Sequence, residues 1–154
     1  MGVRVQQQDF DVGQELATLR AGDLRVGAIV SFVGTVREMN AGAAVSGMTL
    51  EHYPGMTEKA LEAIIAAAQQ RWNLYAVEVI HRVGPLALGE QIVLVAVSSA
   101  HRGEAFAACE FIIDYLKTEA PFWKKEATAD GGRWVDARES DDAARARWGE
   151  LSGS

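Results

Sequence analysis

The chain has 154 residues, 49% of them hydrophobic and 23% charged, with a formal net charge of −6. That length suits a single domain over residues 1–154 around one hydrophobic core, and the composition excludes a disordered chain. The acidic balance argues against broad nucleic-acid binding, no apolar run is long enough to span a bilayer, and the single cysteine, Cys109, excludes an intrachain disulfide framework.

Met1 to Phe10 is polar and lacks the apolar stretch of a signal peptide, so the expected location is cytoplasmic. Asp11 to Arg20 reads as a short helix capped by Asp11. Val26 to Arg37 reads as a strand, with Val26, Ala28, Val30, Phe32 and Val36 on one side and Ile29 and Val33 on the other, so both faces are expected to be covered. A turn at Asn40 to Ala43 leads into a second strand, Val45 to Tyr53, expected to pair with the first as a hairpin and stopped by Pro54-Gly55. Thr57 is then expected to cap a helix running to about Trp72, with Leu61, Ile64, Ile65 and Ala68 as its apolar stripe.

Val77 to Val83 and Gln91 to Ser98 read as further strands, and the continuous apolar run Ile92 to Val97 marks the second as central. A long helix is expected from Arg102 to Lys117, facing the core with Ala105, Phe106, Cys109, Ile112, Ile113 and Leu116 and ended by Pro121. Phe122 to Ala127 and Arg133 to Ala137 read as a hairpin, and Ser140 as the cap of a terminal helix, Asp141 to Trp148. The fold class is α+β: two main helices on a largely antiparallel sheet, with an additional C-terminal β-hairpin.

Two lysines stand out. Lys117 ends a helix and Lys124 follows Pro121-Phe122-Trp123, so a chain reversal at Pro121 can bring both amines to one pocket with aromatic walls. An amine in such a place can serve as acid, base or nucleophile. The plain alternative is a cation at a helix end and a solvated strand lysine. His101-Arg102 opens the long helix, where backbone N–H groups and a guanidinium favour anions; a helix-start histidine beside a surface arginine is the alternative. Arg37 sits at a strand end before a loop, a common place for a binding group and equally for a solvated arginine. His52, His81 and His101 lack the spacing of a zinc site, and Cys109 lies on a core stripe, so no metal and no reactive thiol are expected. His52 fits a core or a cleft position equally. No phosphate-binding glycine loop and no nucleophile elbow is present.

Several of these segments resemble a known family. Phe32-Val33-Gly34-Thr35-Val36-Arg37, Leu50 to Met56, Ser99-Ala100-His101-Arg102, Asp114 to Thr118 and Ala120 to Glu126 are similar to the large, catalytic subunit of molybdopterin synthase, the MoaE family, over about residues 10–148. The resemblance implies an α/β hammerhead fold and a sulfurtransferase of molybdenum cofactor biosynthesis. Such an enzyme moves sulfur from the C-terminal thiocarboxylate of a small ubiquitin-like MoaD-type subunit to cyclic pyranopterin monophosphate (precursor Z), forming the dithiolene of molybdopterin. It implies a homodimer within a heterotetramer, no cofactor, and no membrane or nucleic-acid partner. It assigns Lys117 to the thiocarboxylate and Lys124 as a second catalytic lysine. Arg37, Thr35, His101, Arg102, Lys125, Glu126 and Arg138 fall at substrate-binding positions, although some members carry lysine where Thr35 stands. A phosphate-ester hydrolase using the same basic pocket and a binding module that only docks a protein tail are the rival readings. The first lacks a carboxylate cluster or a metal, and the second has no need of both lysines.

Overall fold

The computed structural model describes residues 2–40, 43–128, 131–135 and 139–149. Among the described residues, nine strands and four helices follow in the order β1 (Gly2–Gln6), α1 (Val12–Arg20), β2 (Ala28–Thr35), β3 (Met39–Asn40), β4 (Ala43–His52), α2 (Met56–Arg71), β5 (Leu74–Arg82), β6 (Gly84–Ala87), β7 (Gln91–Ser99), α3 (Arg102–Glu119), β8 (Phe122–Thr128), β9 (Gly131–Val135) and α4 (Glu139–Ala146). The α+β class holds, but the strands form two sheets, not one. The first has the order β1-β5-β7-β2, and the second the order β3-β4-β8-β9 with β6 also paired to β4.

The apolar run of β7 occupies the interior of the first sheet, between β5 and β2. Its alternate residues serve two cores. Val93, Val95 and Val97 pack with α2 and α3, while Leu94 and Ala96 pack with Phe10, Leu16 and Leu19 on the α1 side. β2 divides its residues in the same way, Val30 and Phe32 to the first core and Ile29 and Val33 to the second. Both faces are therefore covered, which is why a continuous apolar run is stable as a strand here.

The hairpin expected between Val26–Arg37 and Val45–Tyr53 does not form. β2 pairs with β7, and β4 pairs with β8 and β6 in the other sheet. The chain leaves β2 at a register shift between Gly34 and Thr35. Val36 and Leu50 are then buried together with Leu86 in a third cluster, which holds β4 against β6. The N-terminal segment, polar by composition, forms β1 parallel to β5, with Val3 and Val5 packed on the main core.

Helix caps depart from expectation in two places. Asp11 does cap α1, accepting from the Gln14 N–H at 3.1 Å. The cap of α2 is Gly55 at φ 87°, a backbone region open to glycine, and the Glu58 carboxylate accepts its N–H at 3.0 Å. Thr57 lies inside the helix instead, fully buried, accepting from Tyr53 N–H and donating to the Pro121 carbonyl, both at 2.9 Å. Ser140 lies within α4, which begins at Glu139. On α3 the buried stripe is Ala105, Ala108, Cys109, Phe111, Ile112, Tyr115 and Leu116. Phe106 points outward and is 60% exposed, because it stands one helical step off that stripe.

α4 closes over α3. Asp114 accepts from Trp148 Nε1 at 2.7 Å and from Arg147 at 2.9 Å, and Arg71 donates to the Trp148 carbonyl at 2.7 Å. No helix among the described residues is long and apolar enough to cross a membrane.

Candidate functional site

A cavity of about 480 Å³ opens where the two sheets meet the end of α3. β2 contributes Phe32, Gly34 and Thr35, and Arg37 lies just beyond that strand. β4 and β7 contribute the apolar floor of Met48, Leu50 and Ile92. The last turn of α3 contributes Lys117, and β8 contributes Phe122, Lys124 and Glu126. β8 alternates, so Phe122, Lys124 and Glu126 share the inner face, opposite His52, Leu50 and Met48 of β4. Gly34 is needed for the fit, because a Cβ there would lie 2.9 Å from Val93 Cγ1.

The chain reversal at Pro121 thus does bring Lys117 and Lys124 to one cavity, both half-buried. Thr35 and Arg37 are exposed on its rim, and Glu126 is buried within it at 2% exposure. Three cations and one buried carboxylate therefore border a space with aromatic and aliphatic walls, a setting that attracts anions and strengthens each charge interaction.

Three of the expected site residues lie elsewhere in this chain. Lys125 is exposed on the opposite face of β8, its Nζ 6.0 Å from the Trp134 ring centroid, in a shallower groove lined also by Gly47 and Gly132. His101 is the N-cap of α3 and Arg102 its first residue, both exposed. At about 1.5 Å per residue, Arg102 stands roughly 22 Å along the helix axis from Lys117. The helix that His101 caps, and that carries both Arg102 and Lys117, keeps its two ends apart. Arg138 lies outside the described residues.

Two cavity residues were not singled out from the sequence as partners of the lysines, His81 and Asp141. His81 stacks on Phe122, with ring centroids 3.7 Å apart and planes 16° from parallel. Its Nδ1 lies 2.8 Å from the Arg82 carbonyl oxygen, which can only accept, so Nδ1 carries the hydrogen. Burial pushes the imidazole down to about 3, and the charges of Lys117 and Lys124 add to that against the raising effect of the carbonyl. The ring is therefore neutral, with its Nε2 lone pair available. A signal existed in the sequence: His81 shares strand parity with Val77 and Val79, which face the α2–α3 core.

His52 is half-buried on β4, opposite Phe122. Cys109 is buried, and burial pushes its thiol up to about 12, as suits a packing residue. Among the described residues no three His, Cys, Asp or Glu side chains group as a metal site.

The sequence pattern of the MoaE protein family matches residues 5–119. The molybdopterin synthase catalytic subunit of Ralstonia nicotianae is 67% identical over 147 residues, covering 96% of this chain and 84% of that protein. The structure of a molybdopterin biosynthesis MoaE protein from Burkholderia ambifaria is 59% identical, with a TM-score of 0.83 over 97% of this chain and 98% of that one. A molybdopterin synthase structure from Staphylococcus aureus is 33% identical, with a TM-score of 0.79 over 86% of this chain and 95% of that one. On both sequence and fold, the chain belongs to the MoaE family.

Proposed function

We propose that this chain is the catalytic subunit of a molybdopterin synthase and transfers sulfur from the C-terminal thiocarboxylate of a small MoaD-like subunit to cyclic pyranopterin monophosphate. The observation that carries this reading is the convergence of Lys117, Lys124 and Arg37 on one cavity. The Ralstonia relative's name, a catalytic subunit, supports a further subunit as partner. Arg37, on the exposed rim, suits the substrate's phosphate as a charge-assisted fork. Lys117, half-buried at the end of α3, offsets the negative charge that builds on oxygen as sulfur attacks. Lys124 moves protons as oxygen leaves as water. Thr35 and Glu126 complete the substrate contacts of the cavity.

His101 and Arg102 serve substrate only if a second copy of the chain presents them, because their own cavity is a helix length away. The homodimer within a heterotetramer supplies such a copy. Arg138 is assigned to substrate on the family resemblance alone.

The test is reconstitution. The chain is mixed with thiocarboxylated small subunit and precursor Z, and molybdopterin is measured. Product is expected with the native chain and almost none with Lys117→Ala. Full activity of Lys117→Ala would overturn the catalytic assignment.

A further inference from the structure

The imidazole of His81 has a ring face and Nδ1 accounted for, and the residue lines the cavity. Phe122 covers a ring face, the Arg82 carbonyl takes Nδ1–H, and the side chain is 5% exposed within β5. Among the described residues, none donates a hydrogen bond to Nε2. The buried polar side-chain atoms left without a partner there are Glu78 Oε2 and Ser98 Oγ, so Nε2 is not sealed in the core. His81 also lines the cavity, and Nε2 is the ring nitrogen that no described residue engages.

The surroundings make this atom chemically distinct. Lys117, Lys124 and Arg37 on the same cavity are donors without acceptor capacity. An anionic ligand is drawn to these cations, and its own N–H or O–H groups then meet the acceptors of the cavity, the carboxylates of Glu126 and Asp141 and the neutral His81 Nε2. Burial and the lysine charges hold His81 neutral well below pH 6.5, so Nε2 remains an acceptor throughout the working range. A protonated imidazole would instead add another cation beside the lysines.

We infer that His81 is a substrate-contacting residue whose Nε2 accepts a hydrogen bond from an N–H or O–H group of the substrate bound in the cavity that Lys117 and Lys124 also line. The inference rests on the sulfur-transfer reading for the identity of that substrate. It makes the cavity selective for a ligand that combines anionic groups with a donor at one defined point. An analogue lacking the donor leaves the lone pair unmatched, and such a mismatch in a desolvated site discriminates strongly.

Two variants separate the ring from its acceptor. His81→Phe keeps an aromatic surface for Phe122 and removes Nε2, and His81→Gln loses the ring but offers an amide oxygen. In the reconstituted complex, kcat/KM is expected to fall about tenfold or more in His81→Phe and to recover in large part in His81→Gln. A His81→Phe complex as active as the native one overturns the inference. So does an equal loss in both variants at unchanged thermal stability, which would mark a packing role. A measurement on the native chain stands apart from folding of the variants. The ¹⁵N signal of His81 Nε2 is followed as precursor Z is added without the small subunit, so that no turnover occurs. A shift toward a hydrogen-bonded lone pair is expected, and an unmoved signal at saturating substrate overturns the inference. A native complex that makes no molybdopterin overturns the sulfur-transfer reading instead, whatever the His81 signal does.

Discussion

His81 of β5 and Phe122 of β8 lie face to face at 3.7 Å, and this stack joins the two sheets at the cavity. One ring belongs to the first sheet and the other to the second. The lysine that follows, Lys124, takes its place on the inner face of β8 from this contact and from the Thr57 hydroxyl that holds the Pro121 carbonyl.

Burial of this imidazole makes stability pH-dependent. The folded-state value of His81 is lowered to about 3 from 6.5, so between those values the unfolded chain binds the extra proton. Its contribution is present above pH 6.5 and is lost as pH falls. Denaturant unfolding of the native chain and of His81→Phe at pH 7 and pH 4 isolates the effect. The native chain should lose roughly 3 kcal/mol more than the variant over that interval. Parallel losses would mean that His81 is not held neutral.

Cavity charges should separate by kinetic effect. Lys117→Ala is expected to lower kcat by about a hundredfold or more, the size of a lost transition-state donor. Arg37→Ala should raise KM more than it lowers kcat, since a rim contact to phosphate is made in the ground state as well. Steady-state kinetics of the reconstituted complex decides, and the reverse pattern contradicts the division of roles.

The distance between Lys117 and Arg102 yields a complementation test. Lys117→Ala and Arg102→Ala should each be inactive alone. When the two are unfolded and refolded together, random pairing with sites shared between copies should restore about a quarter of native activity. No recovery, with mixed dimers present, would place both residues of each site on one chain.

Thr57 should matter beyond its size. Thr57→Val keeps the shape and removes a hydroxyl that serves Tyr53 N–H and the Pro121 carbonyl. A loss of about 1–3 kcal/mol in unfolding free energy is expected, with a lower kcat as the Pro121 turn loosens. Unchanged stability would show that neither bond is important.

Much of this molecule is legible in its sequence because side-chain periodicity is local. Most of the α3 stripe, Phe106 excepted, the central β7 and the arrest of α3 before Pro121 follow from spacing. The opposite faces of Lys124 and Lys125 follow from strand alternation, and the separation of Arg102 from Lys117 follows from helix length. The resemblance in the segments around Lys117 and Lys124 leads to the family. Partner choice among strands is another matter. β2 and β4 are neighbours in sequence with compatible patterns, yet they lie in different sheets, because burying Val36, Leu50 and Leu86 together is a non-local gain that spacing does not encode. His81 shows the same limit. Strand parity places it with Val77 and Val79, but nothing in the sequence sets it apart from the other two histidines as a partner of the lysines. The folded chain brings the first sheet against β8, and only there does the imidazole acquire an aromatic cover, a fixed tautomer and two lysines for neighbours.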